Sequence, residues 1–311
     1  MMPLNLMASV DLTKATIEKL QDKLFDKKRI TVEVLRTDLI HPVISGNKWF
    51  KLKYHLDAAI KQQKIGLLSL GGAYSNHLLA VACTCNAQKL LSVGIVRGEE
   101  PAVYSPTLLQ LRAYGMQLLF TGREQFKNKL ILKQQWAERF SRYYWVNEGG
   151  QSEEGVQGAQ EILSLVPINN YSHIICAAAT GTMMAGLLKS SKHTQYIIGI
   201  PVLKINDREN NELITFLKTK SDHPHFSLLY NFEEGGYAKK TPGLIAFMNT
   251  LYKQHQLPTD FVYTGKLFRA IFSLAENNFF PEGSNVLAIH SGGLQGNRSL
   301  AEGELIFKYN L

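Results

Sequence analysis

The feature that most constrains the fold is an alternation of short apolar runs with helical patterns, which extends from residue 30 to residue 289. Residues 30–36 (ITVEVLR) alternate apolar and polar positions and are rich in β-branched residues, which predicts a strand. Residues 51–62 place Leu52, Leu56 and Ala59 on one face, which predicts a helix. Because strands that alternate with helices form parallel sheets covered by helices, the sequence predicts an α/β protein.

The same patterns predict the remaining elements. Further strands are expected at residues 66–70, 90–96, 117–120, 173–178, 196–202, 226–230 and 285–289. Further helices are expected at residues 76–86, 106–114, 123–140, 153–165, 209–218, 243–254 and 266–276, and from Thr182 onward. In such sheets ligands bind beyond the carboxyl ends of the strands. The loops to search for chemistry are therefore those around Lys48, at 71–77, at 177–186 and at 290–296.

Size and composition limit the class of protein. With 311 residues, 45% hydrophobic and 19% charged, the chain can bury the core of one large domain or of two smaller ones. Its three cysteines indicate a reducing compartment and no disulfide framework. Cys83 and Cys85 lack a second pair that would complete a zinc site, so no metal is expected. The N-terminus does not resemble a secretory signal and no apolar run is long enough to span a membrane, so we expect a cytoplasmic protein without a membrane partner.

The formal charge of +8 raises the question of nucleic-acid binding. The longer basic stretches, 14–29 and 123–142, are interrupted by acidic and apolar residues, and 218–220 is too short to form a stripe. We therefore expect no nucleic-acid partner, and a solvated surface that also attracts anionic ligands.

Two glycine-containing loops are suited to anions. Residues 71–77 (GGAYSNH) join a strand to a helix, and the first amides of that helix would face an anion such as a carboxylate. Residues 177–182 (AAATGT) combine small residues, two hydroxyls and a helix N-terminus, which suits a single phosphate group. Neither loop matches a nucleoside-triphosphate or dinucleotide motif, and each is equally consistent with a simple capped turn.

Lys48 is the candidate for covalent chemistry. It follows a glycine turn at the start of a helix, and apolar Trp49 and Phe50 lie next to it. An apolar setting with Lys51 nearby lowers the pKa of an ammonium group and favours imine chemistry.

Together these segments resemble the 1-aminocyclopropane-1-carboxylate deaminase and D-cysteine desulfhydrase family. The likeness covers about residues 30 to 300 in matching order, and its first motif is 45–54 (SGNKWFKLKY). Its other motifs are 71–77, Thr180-Gly181-Thr182, Gly235-Gly236-Tyr237, 262–266 (VYTGK) and 290–293 (HSGG). Members are pyridoxal-phosphate enzymes with the two-domain, parallel-sheet fold of the tryptophan synthase β-subunit (fold type II). The resemblance therefore implies pyridoxal 5'-phosphate as cofactor, a small amino acid as substrate and a homodimer.

The resemblance also implies roles for individual residues. Lys48 would hold the cofactor as a Schiff base and shuttle protons, and Asn76 would bind its phenolic oxygen. The phosphate would rest on Thr180, Gly181 and Thr182, with help from Lys51. Other implied site residues are Ser75, Asn76 and His77 near the substrate, Tyr237 and Tyr263 as pocket and proton-transfer residues, and Ser291 or Thr264 at the pyridine nitrogen.

Two departures bear on the substrate. Deaminases of the cyclopropane carry Glu and Leu where this chain has Thr264 and Ser291. A carboxylate beside the pyridine nitrogen would keep it protonated and strengthen the ring as an electron sink, which cyclopropane opening requires more than loss of sulfide does. The expected activity is therefore that of a D-cysteine desulfhydrase, which forms pyruvate, sulfide and ammonia by β-elimination.

The sequence leaves several hypotheses about the activity open. The alternatives are true 1-aminocyclopropane-1-carboxylate deamination, action on another small amino acid such as D-serine, or a non-catalytic protein that keeps the cofactor. In each, residues 1–47 and 151–311 would form a large domain and 48–150 a small one, with the cofactor between them.

Overall fold

The computed structural model describes residues 10–307, which form two β-sheets flanked by helices. Residues 1–9 lie outside the described residues. They include most of the N-terminal stretch that, by its sequence, does not resemble a secretory signal. The strands are β1 (Thr16–Lys19), β2 (Thr31–Arg36), β3 (Gly66–Gly71), β4 (Leu91–Arg97), β5 (Met116–Thr121), β6 (Tyr143–Val146), β7 (His173–Ala178), β8 (Tyr196–Pro201), β9 (Phe226–Leu228) and β10 (Asn285–Ile289).

The helices cover both sheets. They are α1 (Lys23–Lys27), α2 (Asn47–Lys61), α3 (Asn76–Ala87), α4 (Pro106–Ala113), α5 (Arg123–Lys127), α6 (Lys129–Ala137), α7 (Glu153–Gln160), α8 (Thr182–Ser190), α9 (Glu212–Lys220), α10 (Pro242–His255) and α11 (Thr264–Glu276). Short 3-10 helices occur at Leu12–Lys14, Thr37–Ile40, Glu148–Gly150, Glu161–Leu165, Ile168–Asn170 and Leu294–Ser299. Among residues 10–307 we find no helix with the length and apolar character that crossing a membrane requires.

The two sheets are almost entirely parallel. The larger has the order β1-β2-β10-β7-β8-β9 and the smaller the order β5-β4-β3-β6. Of the ten described strands, only β1 runs antiparallel to its neighbour, β2. All six residues of β3 are buried, as expected for a strand covered by helices on both faces. The α/β class predicted from the sequence is confirmed.

The helix α2 lies between the two sheets and packs closely against α7. A Cβ placed on Gly158 of α7 would come within 1.7 Å of the Phe50 carbonyl oxygen, so the contact requires glycine. The smaller sheet is formed by residues 66–146, and the larger sheet is formed by the chain on either side of them. The proposed domain boundary at residue 48 lies within the first turn of α2, and the division itself stays a prediction.

Two predicted helices differ from the structure, and two strands were not predicted. The helix expected at 123–140 is two helices, because Asn128 leaves the helical region at φ −92° and ψ 87° and its side chain accepts a hydrogen bond from the Ile131 amide. The helix expected at 153–165 tightens into a 3-10 helix at Glu161. The strands β1 and β6 have only four residues each, too few for the alternation of side chains to be recognised.

Candidate active site

Lys48 lies in the first turn of α2, where a tight turn brings two loops together. Gly46 has φ 59°, and a Cβ there would lie 2.0 Å from the Ser291 carbonyl oxygen, so only glycine fits. The Asn47 amide donates to the same oxygen at 3.3 Å. The turn that precedes Lys48 is thereby fixed against the 290–293 loop that follows β10.

The Lys48 amine is buried and has few polar neighbours. It donates to Asn47 Oδ1 at 2.6 Å, and its Nζ lies 5.6 Å from the centre of the Tyr263 ring. Burial lowers the pKa of Lys48 to about 8, although the charge of Asp260 raises it. Near neutral pH a useful fraction of this amine is therefore uncharged and nucleophilic.

A second buried lysine, Lys51, lies on the next turn of α2. Burial, and then the charge of Lys48, lower the pKa of Lys51 to about 7. A Cβ on Gly150, which has φ 72°, would approach the Lys51 Cβ to 3.2 Å. Two buried ammonium groups side by side are costly, so the site favours an anion between or beside them.

The turn Thr180-Gly181-Thr182 connects β7 to α8 and presents hydroxyl and amide groups. The two threonine hydroxyls lie 3.0 Å apart, and Gly181 has φ 81°. Within residues 10–307, no side chain caps the amides at the start of α8. Asn47 Nδ2 donates to Met183 Sδ at 3.4 Å, which ties this helix start to the Lys48 turn.

The third predicted loop lies between β3 and α3 and places Ser75, Asn76 and His77. Ser75 caps α3 by accepting a hydrogen bond from the Leu78 amide. Asn76 is buried, with Nδ2 donating to the Gly293 carbonyl at 3.2 Å, while its Oδ1 has no hydrogen-bond partner among the described residues. An unpartnered buried amide oxygen marks a place where a polar ligand fits.

His77 is buried beneath this loop. Its Nε2 lies 2.9 Å from the Ser69 hydroxyl, which itself donates to the Val146 carbonyl at 2.8 Å. The hydroxyl has only one proton to donate, so the Nε2–H of His77 is the donor in this pair. Burial, followed by the charges of Lys51 and Lys48, holds the pKa of His77 well below its ordinary value, so the ring is neutral.

The two predicted tyrosines form a pair above Lys48. Their hydroxyl oxygens are 3.0 Å apart and their rings meet edge to face. Tyr237 is 40% exposed and lies at the opening of the site. Burial raises the pKa of Tyr263 well above its ordinary value, and the neighbouring Tyr237 adds to this. At neutral pH Tyr263 is therefore a protonated hydroxyl and not a tyrosinate.

Lys266 holds the loop of Tyr237 in place, a role that the sequence did not indicate. Its buried Nζ donates to the carbonyl oxygens of Glu233 and Gly236 at 2.8 and 2.7 Å. Burial lowers the pKa of Lys266 to about 8, against the opposing effect of Asp260. The loop needs this support because Glu234, Gly235 and Gly236 all have positive φ.

The structure distinguishes the two hydroxyls expected near the pyridine nitrogen. Thr264 Oγ1 donates to Asp260 Oδ1 at 2.8 Å and accepts from the Asp260 amide at 2.8 Å, so this hydroxyl is already engaged. Ser291 is buried, and its hydroxyl makes no hydrogen bond to another described residue. Ser291 is therefore the one with a hydroxyl available to a ligand.

Asp260, which the sequence analysis did not single out, is fully buried beside these residues. Its Oδ2 accepts from the amides of Val262 and Tyr263, at 2.9 and 2.8 Å, and its Oδ1 accepts from the amide of Thr264 at 3.0 Å. Burial raises the pKa of Asp260, and the hydrogen bonds of Thr264 and Tyr263 lower it. The pattern of an aspartate four residues before a buried threonine is the signal that could have indicated this cap.

The residues present fit a phosphorylated aldehyde such as pyridoxal phosphate. An amine of lowered pKa suits an aldehyde, and an uncapped helix start with two threonine hydroxyls suits a phosphate. The unpartnered Asn76 oxygen and the available Ser291 hydroxyl can form hydrogen bonds with the aromatic ring that joins the aldehyde to the phosphate. Their convergence around Lys48 favours a cofactor site over a set of unrelated turns.

Comparisons with known proteins agree with this geometry. A protein from Thermotoga maritima, provisionally named 1-aminocyclopropane-1-carboxylate deaminase, is 24% identical over 92% of this chain and 96% of its own. The mitochondrial bifunctional D-cysteine desulfhydrase/1-aminocyclopropane-1-carboxylate deaminase of Arabidopsis thaliana is 24% identical over 85% of this chain and 72% of its own. A crystal structure of a homologue of the deaminase superimposes with a TM-score of 0.78 at 22% identity, covering 95% of this chain and 97% of that one.

The family assignment rests on a match over most of the chain. The sequence profile described as "Pyridoxal-phosphate dependent enzyme" matches residues 32–292, which include the loops described above except for Gly293 at the end of the last one. The likeness in fold extends to solved structures over nearly the full length. The chain therefore belongs to the family of pyridoxal-phosphate dependent enzymes, and pyridoxal 5'-phosphate is its cofactor.

Proposed function

We propose that the protein is a deaminating lyase that converts D-cysteine and water into pyruvate, ammonia and hydrogen sulfide by β-elimination. In this reaction the Cα–H bond and the Cβ–S bond break, the sulfur leaves as sulfide, and water later replaces the nitrogen. The observation that supports it most is the buried Lys48 amine, with its lowered pKa, facing the Tyr263–Tyr237 pair. The naming of the Arabidopsis relative as a D-cysteine desulfhydrase supports the same reaction.

We further propose which residues hold the cofactor. Lys48 would bind its aldehyde carbon, and Thr180, Gly181, Thr182 and Lys51 its phosphate. Asn76 would bind the phenolic oxygen and Ser291 the pyridine nitrogen, because the Thr264 hydroxyl is already engaged by Asp260. When bound, the cofactor supplies an electron sink for the pair of electrons left at Cα.

The protein residues around that sink would bind the substrate and move its protons. Lys48 is the base for the Cα proton, because about half of its amine is neutral near pH 8 whereas the Tyr263 hydroxyl is protonated. Tyr263 would instead donate a proton toward the departing sulfur. The Ser75 hydroxyl and the start of α3 would bind the substrate carboxylate, since a neutral His77 ring that is turned toward Ser69 has no charge to offer it.

Two observations divide the candidate substrates. A hydroxyl at Ser291 suits a neutral pyridine nitrogen, which suffices when a good leaving group such as sulfide departs. The name of the Thermotoga relative favours the second candidate substrate, 1-aminocyclopropane-1-carboxylate. That relative aligns with this chain over nearly its whole length. D-Cysteine is the preferred reading because this chain has no carboxylate at either Thr264 or Ser291.

The finer organisation is also a proposal. We expect residues 48–150 to move as a small domain that closes over the substrate and excludes water from the deprotonated stage. We also expect a cytoplasmic homodimer, which the family resemblance supports. Light scattering of the cofactor-loaded protein at several concentrations would test the dimer.

The cofactor-loaded protein provides the test of activity. It should show a visible absorption band that Lys48→Ala lacks and that Lys53→Ala keeps, since Lys53 pairs with Glu161 at the far side of the same helix. D-Cysteine should yield equal amounts of pyruvate and sulfide, and the cyclopropane little 2-oxobutyrate. Formation of 2-oxobutyrate without desulfhydration of any small D-amino acid would overturn the preferred reading in favour of the second candidate.

A further inference from the structure

The fully buried carboxylate of Asp260 has an unusual set of partners. It accepts hydrogen bonds from the amides of Val262, Tyr263 and Thr264, and from the Thr264 hydroxyl. The three amides can only donate, and no further hydrogen-bond partner of the carboxylate occurs among the described residues. Hydrogen bonds from donors favour the charged carboxylate, and they oppose the burial that raises the pKa of Asp260 above its ordinary value.

The same carboxylate lies against the catalytic loops. A Cβ built on Gly293 would lie 3.4 Å from Asp260 Oδ1 and 3.1 Å from Asn76 Nδ2, so Asp260 and Asn76 both pack against the same glycine. The charge of Asp260 also acts on both Lys48 and Lys266. Asp260 is thus the carboxylate whose charge reaches Lys48, the nitrogen that binds the cofactor.

The backbone of Tyr263 depends on the same hydrogen bonds. Tyr263 has φ −123° and ψ −72°, outside the helical region, immediately before α11 begins. This conformation turns the ring toward Lys48 and the hydroxyl toward Tyr237. In this arrangement the amides of Tyr263 and its two neighbours all donate to the carboxylate.

We propose that Asp260 is a positioning residue of this enzyme, which fixes Tyr263 over Lys48 and provides the buried counter-charge to the Lys48 nitrogen. The proposal rests on the cofactor and on Lys48, and is independent of which amino acid is the substrate. Other charged or titratable groups lie close to these residues. The charge of Lys48 acts on Lys51 and His77, the charge of Asp260 acts on Lys266 and Tyr237, and the charge of His290 acts on Asp260. These groups remain in place in the variants below.

The test is a pH titration of the visible band of the cofactor-loaded protein, measured without substrate. That band reports protonation of the nitrogen contributed by Lys48. An anion nearby favours the protonated form, so Asp260→Asn should move the midpoint to lower pH by about one unit. Asp260→Ser should move it in the same direction, and because serine is a good helix cap it keeps an acceptor for the amides.

Asn297→Ala is the matched control. Asn297 supports the same turn from its other side, by accepting from the Phe261 amide at 3.2 Å and donating to the Thr259 carbonyl at 2.9 Å, but it carries no charge. It should lower thermal stability without moving the titration. An unchanged midpoint in folded Asp260→Asn and Asp260→Ser would overturn the proposal, as would an equal shift in Asn297→Ala, because Asp260 would then be only a structural cap.

Discussion

Replacing Lys51 by methionine should stabilise the protein without its cofactor. Lys51 is 7% exposed, and its pKa falls from an ordinary 10.5 to about 7. At about 1.4 kcal/mol per pKa unit, this difference corresponds to roughly 5 kcal/mol that the fully protonated ammonium costs when it is buried. Methionine has a similar volume and no charge, so Lys51→Met should recover much of that free energy of unfolding.

The pH dependence of this effect identifies its cause. Because the pKa is lower in the folded protein, the unfolded chain binds more protons between pH 7 and 10.5, and the contribution of Lys51 to stability rises with pH over that window. The advantage of Lys51→Met should therefore be largest at or below pH 7 and vanish near pH 10.5. Denaturant unfolding of the cofactor-free protein at three or four pH values measures it.

Lys53→Met is the control on the same helix. Lys53 forms an ion pair with Glu161 near the surface, so its loss should change stability by less than about 1 kcal/mol. With cofactor present the order should reverse, because a phosphate stabilises the Lys51 ammonium that methionine removes. A Lys51→Met protein that is less stable than the wild type, or whose difference is the same at every pH, would refute the reasoning.

Three further predictions concern the loops around Lys48. Tyr263→Phe should lower kcat by about tenfold or more, since it removes the proposed donor to the leaving sulfur, while the visible spectrum of the bound cofactor stays unchanged; a wild-type kcat would contradict the role. Gly181→Ala should lower stability by about 1–2 kcal/mol and weaken cofactor binding, because φ is 81° and the new Cβ would lie 2.8 Å from Leu213 Cδ1. Thermal unfolding would measure the loss of stability, and equilibrium dialysis would measure the loss of cofactor affinity. Lys266→Met should raise KM, because the carbonyls of Glu233 and Gly236 lose their donor and the Tyr237 loop loosens; steady-state kinetics with an unchanged KM would exclude this support role.

Sequence patterns located the elements that carry long apolar runs. The strands 173–178 and 285–289 begin and end where predicted, because each is a buried run bounded by polar or small residues. The start of α8 at Thr182 was also predicted, since Gly181 interrupts the strand and the two hydroxyls favour a helix N-terminus. At these positions the local sequence was sufficient to predict where the strand or helix begins.

The burial of Lys48 could not be derived from local pattern. It depends on the packing of α2 against α7, which in turn requires glycine at Gly158, more than a hundred residues away. The engagement of the Thr264 hydroxyl by Asp260 was likewise hidden, because composition does not show which of several acceptors a threonine contacts. Lys266 was visible as part of a motif, but its role depends on a distant loop, around Gly236.

The most direct test of the account is to locate the covalent bond between cofactor and protein. Borohydride reduction of the loaded protein, followed by proteolysis and mass spectrometry, should place one phosphopyridoxyl group on Lys48. A label on Lys51 or Lys266, or a protein that retains no label after reduction, would contradict the assignment of Lys48 as the cofactor-binding lysine.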